Sequence, residues 1–109
     1  MTDDLATKKC APCTEKTPRL DDARIAQLLP KLDGWSLRDG KLQRSISFKD
    51  FAAAMKFVDA MAKLAETEQH HPDFLVHGWN HVDVMTSTHA IHGLSENDFV
   101  LAAKINRLL

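Results

Sequence analysis

Apolar residues recur at helical spacing in three segments of the chain, and strand-forming residues fill four shorter segments between them. The apolar positions are Ile25, Leu28 and Leu29 in the first predicted helix, Phe51, Met55, Val58, Ala62 and Ala65 in the second, and Phe99, Ala102, Ala103 and Ile105 in the third. Each set is expected to mark the buried side of its helix.

Several residues predict where these helices begin and end. Pro30 ends the first helix. Ser47 is expected to cap the second, with Asp50 favouring its positively polarised start. Pro72 stops that helix, because a residue before proline is pushed out of helical geometry. Ser95 is expected to cap the third helix.

The four strand-forming segments fall into two hairpins. Asp39-Gly40 is a typical two-residue turn, and Gly78 and Asn80 mark the second turn. Alternation along the last strand places Val82, Val84, Thr86 and Thr88 on one face and Asp83, Met85, Ser87 and His89 on the other. Such short turns favour antiparallel pairing. We therefore predict an α+β fold of order α-β-β-α-β-β-α, with three helices packed on one face of a four-stranded antiparallel sheet.

The predicted domain covers residues 20–109. Residues 1–19 lack apolar periodicity and are rich in Thr, Lys, Asp and Pro, so they are expected to form a flexible N-terminal leader. This segment contains Cys10 and Cys13, a spacing found in redox motifs and in halves of zinc sites. With no strand before them and no further ligands evident, we interpret them as two reduced thiols.

Charge and length narrow the classes of partner. The 109 residues include 14 basic and 15 acidic side chains, so the chain lacks the basic excess of a nucleic-acid-binding protein. No stretch approaches the roughly 20 apolar residues of a membrane span, and the first residues do not resemble a signal peptide. A cytoplasmic location without direct nucleic-acid or membrane partners is expected.

All six histidines lie between positions 70 and 92. His70 and His71 follow the long helix on a predicted connector, and His89 ends the last strand, so the three rings can meet if the second hairpin folds back beside that helix. Imidazole has an unperturbed pKa of about 6.5 and exchanges protons at cellular pH. Asp98 occupies the third position of the helix that Ser95 caps, where a carboxylate interacts with free backbone amides.

The spacing Glu66-x-x-x-His70-His71-Pro72, followed by Trp79, His89 and Asp98, resembles the signature of the pterin-4a-carbinolamine dehydratases. The resemblance runs from about residue 20 to the C-terminus. It also covers these shorter elements: Gly34-Trp35, Phe48-Lys49-Asp50-Phe51, Ser87-Thr88-His89 and Gly93-Leu94-Ser95. The leader lies outside it.

The resemblance implies dehydration of 4a-hydroxytetrahydropterin to quinonoid dihydropterin, as part of tetrahydropterin recycling after aromatic amino acid hydroxylation. It implies catalytic roles for His70, His71 and His89. We expect His70 and His89 to transfer protons and His71 to orient or bind the substrate. The implied supporting residues are Asp98, Glu66, Trp35 and Trp79. The pterin is the substrate, no cofactor or metal is expected, and the family implies a homodimer or homotetramer.

Other interpretations remain open from the sequence. A non-catalytic protein, acting as a binding, dimerisation or assembly factor through its helical surface, is the alternative function. A histidine zinc site is disfavoured, because no i, i+4 pair lies on a predicted helix. His89 and Asp98 have structural interpretations as a strand end and a helix cap, and Trp35 and Trp79 as core or interface residues. His77, His81 and His92 are treated as surface residues.

Overall fold

The computed structural model describes residues 5–10 and 16–109. Its helices and strands, in chain order, are α1 (Asp22–Leu28), β1 (Ser36–Arg38), β2 (Lys41–Ser47), α2 (Phe51–Glu68), β3 (Asp73–His77), β4 (His81–Thr86) and α3 (Glu96–Asn106). Short 3-10 turns form at Leu5–Thr7, Leu29–Lys31 and His89–Ile91. The predicted order of elements is confirmed.

The four strands form one antiparallel sheet in the order β1-β2-β4-β3. Both predicted hairpins are present, and β2 pairs with β4 to join them, with Leu42 opposite Thr86. The sheet therefore has β1 and β3 at its edges. The predicted α+β class, with helices on one face of an antiparallel sheet, is confirmed.

The core lies between the sheet and the helices. Val82 and Val84 of β4 are fully buried, as the alternation predicts, and they belong to one apolar cluster with Phe99 and Leu101 of α3. The hydrogen bond from Thr86 to Asp98 holds the start of α3 at the end of β4. None of the helices within residues 5–10 and 16–109 combines the length and apolar character that a membrane span requires.

Helices α2 and α3 begin at residues that cap them, and one of the two predicted caps differs from the observed one. The predicted cap of α2 at Ser47 is wrong: Asp50 is the cap, and its Oδ1 accepts a 2.7 Å hydrogen bond from the Ala53 backbone. Ser47 instead ends β2, where pairing with His81 holds it in extended geometry. The cap of α3 at Ser95 is confirmed.

The predicted buried side of α2 is partly wrong. Phe51, Met55 and Ala62 are exposed, and Phe51 keeps 54% of its surface in solvent. The residues of α2 that are buried are Ala54, Phe57, Val58, Met61, Ala65 and Glu68. Apolar side chains occur on more than one side of this helix, so periodicity alone does not select the side that faces the sheet.

Part of the predicted leader packs on the domain. Leu5 is only 3% exposed and joins the apolar core, and the Cys10 backbone N–H donates to Glu68 Oε1 at 3.0 Å. Residues 5–10 therefore differ from a flexible leader, because one apolar side chain anchors a segment that has no periodic signal. Cys13 lies outside the described residues, and the domain boundary at residue 20 stays a prediction.

Candidate active site

Two segments at one end of the sheet, the one before β3 and the one after β4, line a cavity. Asp73 at the start of β3 lies opposite Met85 near the end of β4, so the residues before β3 and after β4 are neighbours. The cavity has a volume of about 200 Å³ and is lined by Gln69, His70, His71, Ser87, Thr88, His89 and Ala90. The structure thus brings the three candidate histidines to one cavity, as the sequence analysis expects.

The end of α2 directs His70 inward. Gln69 adopts the left-handed conformation with φ of 53°, and its backbone N–H donates to the Ala65 carbonyl. This residue ends the helix three positions before Pro72. His70 is then only 6% exposed, whereas the adjacent His71 is exposed. The two neighbouring imidazoles consequently occupy different environments.

His70 is held by the fully buried Asp98. Its Nε2 lies 2.7 Å from Asp98 Oδ1. An ionised carboxylate only accepts hydrogen bonds, so Nε2 carries a proton and donates it. In the neutral ring the lone pair is then on Nδ1. Asp98 therefore fixes both the orientation and the tautomer of His70.

Three further donors complete the surroundings of the Asp98 carboxylate. Thr86 Oγ1 donates to Oδ1 at 2.7 Å, and Thr88 Oγ1 donates to Oδ2 at 2.8 Å. The Ser95 backbone N–H donates to Oδ2 at 3.0 Å, which completes the capping box of α3. Asp98 thus has both roles that the sequence left open, as a helix cap and as a partner of His70.

Thr86 and Thr88 belong to the site through their hydrogen bonds to Asp98, and neither is predicted as a site residue from the sequence. A signal for them existed, because alternation places both hydroxyls on the buried face with Val82 and Val84. A buried hydroxyl requires a hydrogen-bond partner. The identity of that partner depends on the packing of α3 against β4, which local sequence does not show.

His71 and Glu66 form an exposed pair beside the cavity. His71 Nε2 lies 2.5 Å from Glu66 Oε2, and both side chains are more than half exposed. The two residues also line a second, apolar cavity of about 240 Å³ between α2 and the start of β3. Glu66 reaches the histidine cavity only through His71 and does not line it.

His89 lines the histidine cavity from the segment that follows β4. It begins the 3-10 turn that follows β4, and a bridge between Thr88 and Gly93 closes this turn. The His89 ring is exposed and has no hydrogen-bond partner among residues 5–10 and 16–109. It is therefore available to a bound ligand.

The structure does not bring the two tryptophans to this cavity. Trp35 is buried in the core, where its Nε1 donates to Asn106 Oδ1 of α3 at 2.8 Å. Trp79 is 61% exposed in the turn between β3 and β4, at the far end of the sheet from His71. The four residue steps along β3 alone separate Trp79 from His71 by about 13 Å or more. Neither tryptophan lines the histidine cavity, and their role as supporting residues stays a prediction.

The other histidines occupy separate surroundings. His77 Nε2 lies 3.0 Å from Asp83 Oδ2, and the His77 and His81 rings stack at 5.3 Å. A hydrogen bond from the Ser45 side chain, together with one from His77, lowers the pKa of Asp83 despite the opposing effect of burial. Within the described ranges, no group of three or more His, Cys, Asp or Glu side chains is arranged to hold a metal ion.

Comparison with known proteins first identifies the class of fold. A solved structure from Brucella melitensis, described as a transcriptional coactivator/pterin dehydratase, superposes on this chain with a TM-score of 0.79. The two are 36% identical, over 84% of this chain and 98% of that chain. The fold is therefore shared along almost the whole of that protein.

Sequence relatives then identify the family. A putative pterin-4-alpha-carbinolamine dehydratase from Nitrosospira multiformis is 48% identical over 97% of this chain and 93% of its own length. Pterin-4-alpha-carbinolamine dehydratase 2, mitochondrial, from Arabidopsis thaliana is 49% identical over 96% of this chain and 59% of its own length. The family model described as Pterin 4 alpha carbinolamine dehydratase matches residues 18–108. The chain belongs to this family, and the resemblance stated from the sequence is confirmed.

Proposed function

We propose that the protein is a hydro-lyase that dehydrates 4a-hydroxytetrahydropterin in the recycling of a tetrahydropterin. The observation that carries the proposal is the cavity where His70 and His71 face His89, with Asp98 buried behind His70. Family membership supports the same activity. The site joins a buried, oriented imidazole with an exposed one, which suits a reaction that needs both an acid and a base.

The proposed reaction removes one molecule of water. The C4a–O bond breaks while the lone pair of N5 forms the new C4a–N5 double bond. An acid protonates the departing oxygen, and a base removes the proton from N5. The products are dihydropterin and water, without a change in the number of electrons. Histidine side chains are sufficient for these proton transfers, and the proposal includes no cofactor.

We assign the proton transfers to His70 and His89. The contact with Asp98 fixes the His70 ring in one orientation, so no rotation is needed when substrate binds. His89 is exposed, so we assign it to exchange protons with water between turnovers. We propose that His71, which Glu66 orients, binds the substrate at the entrance of the histidine cavity.

The experiment that tests this proposal compares histidine-to-glutamine variants in a dehydration assay. The substrate is generated in the assay by an aromatic amino acid hydroxylase acting on a tetrahydropterin. We expect the wild type to accelerate dehydration above the uncatalysed rate. General acid–base groups contribute about 10²- to 10⁴-fold to the rate. His89→Gln should lower kcat by about 10²-fold, because water can take over part of the proton transfer of an exposed histidine.

His77→Gln is the matched control, since it makes the same chemical change at the far end of the sheet. Its kcat should stay within twofold of the wild type. A wild type that leaves the uncatalysed rate unchanged refutes the proposed function. Equal effects of the two variants refute the assignment of His89.

We also propose that the protein is a homodimer or homotetramer. Within the described residues β3 pairs only with β4, so its other edge offers unpaired backbone groups. This edge carries the exposed Phe74 and Leu75, beside the apolar cavity at α2. Phe51 and Met55, one turn apart on α2, form a second exposed apolar surface. A second copy of the chain that pairs along β3 would cover the first surface.

The substitution Leu75→Lys tests this association. A charge at an exposed position of the edge strand is expected to oppose strand pairing between copies, while the fold of one copy is retained. Light scattering should show a mass of two or four chains for the wild type and a smaller assembly for the variant. A monomeric wild type contradicts the proposal, and so does a variant of unchanged mass.

The cytoplasmic location stays a prediction, which fractionation of native cells would test.

A further inference from the structure

Trp79 lies in a fixed turn that leaves its indole in solvent. The residue is 61% exposed and has a φ of 57°, in the left-handed region that bulky side chains rarely adopt. Asn80 holds the turn in place, because its carbonyl accepts from the Phe48 N–H at 2.8 Å and its Nδ2 donates to the Phe48 carbonyl at 2.9 Å. The unfavourable backbone geometry is therefore retained, although most of the surface of Trp79 stays in solvent.

The apolar cavity between α2 and the start of β3 is a second feature that the proposed reaction does not use. Its volume of about 240 Å³ is below the roughly 300–1,000 Å³ of typical ligand pockets. Its apolar lining consists of Met61, Ala62, Ala65, Pro72 and Phe74. His71 lines both this cavity and the histidine cavity. A side chain that fills the apolar cavity would therefore contact a residue of the candidate active site.

Two copies of β3 can pair with full overlap in one register only. In the described part of the chain β3 has a neighbouring strand on one side, so its other edge is open. In an antiparallel pair related by a two-fold axis, the numbers of two opposite residues always have the same sum. All five residues of Asp73–His77 find an opposite residue only when Leu75 lies opposite itself. The two-fold axis is then at Leu75.

This register joins complementary residues. Asp73 lies opposite the partner's His77, so a carboxylate faces an imidazole. Phe74 lies opposite the partner's Val76, and alternation along β3 places these two apolar side chains on one face of the joined sheet. Pairs of an aromatic and a β-branched residue stabilise a sheet. The pairing also covers Phe74, which is 46% exposed in a single chain.

The same register brings Trp79 to the partner's connector. Two positions beyond the ends of the strand, Trp79 lies opposite the partner's His71. Directly opposed residues of an antiparallel pair are about 4.5–5.5 Å apart, and diagonal neighbours are still within reach of an aromatic side chain. Within one chain, by contrast, these two residues are at opposite ends of β3.

We infer that Trp79 of each copy fills the apolar cavity of the other copy and packs against the partner's His71. The inference rests on the proposed function and on the pairing along β3 that was proposed with it. Trp79 is then a positioning residue that acts across the interface. It restrains the pair of His71 and Glu66, whose side chains are more than half exposed in a single chain. Each active site is incomplete without a second copy.

Both sides of this contact are formed before the two copies meet. The hydrogen-bonded turn fixes the backbone of Trp79, so little conformational freedom is lost on association. The cavity is already open on the other copy. Large aromatic side chains that enter such pockets carry much of the binding free energy of protein interfaces. Removal of both apolar surfaces from water favours the contact.

Protein labelled with 5-fluorotryptophan tests the contact without an activity assay. The chain has two tryptophans and therefore two ¹⁹F signals, which Trp79→Phe assigns. We expect both wild-type signals to shift little between H₂O and D₂O, as signals of buried indoles do. In Leu75→Lys the Trp79 signal should gain a large solvent shift, whereas the signal of the buried Trp35 stays unchanged. Leu37→Lys, the same change at an exposed leucine of β1, is the matched control and should alter neither signal.

Mixed assemblies test the action across the interface. Trp79→Ala should lower kcat/KM by about tenfold, the scale of one aromatic contact, mainly through a higher KM because His71 is assigned to substrate binding. His70→Gln should be almost inactive. When these two variants are refolded together, the chain with the intact His70 receives the intact Trp79 of its partner. We expect the mixture to exceed the mean activity of the two variants measured separately.

Failure of the inference and failure of the proposed function give different results. A wild type whose Trp79 signal is as solvent-exposed as in Leu75→Lys overturns the inference, whether or not the protein dehydrates the pterin. A mixture that reaches only the mean activity of its two variants also overturns it. A wild type that buries Trp79 but leaves the uncatalysed dehydration rate unchanged refutes the proposed function, while the contact between copies is retained.

Discussion

His70→Gln is expected to lower kcat for carbinolamine dehydration by about 10³- to 10⁴-fold, the upper part of the range for a general acid–base group. The glutamine side-chain amide can place an N–H near the position of His70 Nε2 and keep the hydrogen bond to Asp98. It has no basic ring nitrogen. Since His70 is buried, bulk water cannot readily replace it, and the loss should exceed that of the exposed His89.

Steady-state kinetics and a thermal unfolding curve check this prediction together. The variant should unfold within a few degrees of the wild type, because the buried carboxylate keeps its partner. A variant that folds and keeps more than a tenth of the wild-type kcat contradicts the role given to His70. The His77→Gln protein serves as the control for both measurements.

Asp98→Ala is expected to reduce the free energy of unfolding by about 3–5 kcal/mol, because four buried donors lose their acceptor and an unsatisfied buried group costs about 1–3 kcal/mol. The fully buried carboxylate accepts hydrogen bonds from Thr86, Thr88, His70 and the Ser95 backbone. Alanine leaves these donors without their acceptor. Since domains of this size have a total stability of about 5–15 kcal/mol, the variant should be close to unfolding at physiological temperature.

Urea unfolding measures this loss, with Asp98→Asn as the intermediate case. The amide keeps one carbonyl acceptor, so its loss should be smaller, about 1–3 kcal/mol. Asp59→Ala changes an exposed carboxylate on α2 and should stay within about 0.5 kcal/mol of the wild type. A loss below 1 kcal/mol in Asp98→Ala would show that the buried network does not stabilise the fold.

The features that were predictable from sequence are those set by near neighbours along the chain. Ser95 and Asp98 are three positions apart, so the capping box of α3 follows from spacing alone. The Asp39-Gly40 turn likewise defines the first hairpin through two residues. The convergence of His70 and His89 was expected as a consequence of folding the second hairpin back, and the antiparallel register supplies it.

The features that sequence did not predict depend on contacts between distant elements. Helix α2 carries apolar side chains on more than one of its sides. The position of the sheet determines that Met61 is buried while Met55 is exposed. Thr86 meets Asp98 because α3 packs against the end of β4. Trp79 belongs to the family signature, yet its place in a turn at the far end of the sheet keeps it away from the cavity.

The central claim, that the pterin ring reacts between His70 and His89, is tested most directly by a crystal structure of the protein with a bound dihydropterin. We predict that the C4a–N5 edge of the ring lies within hydrogen-bond distance of His89 or His70, in the cavity that Gln69 and Ala90 border. A ring bound at the Trp79 turn, or in the apolar cavity between α2 and β3 without contact to either histidine, would contradict the account.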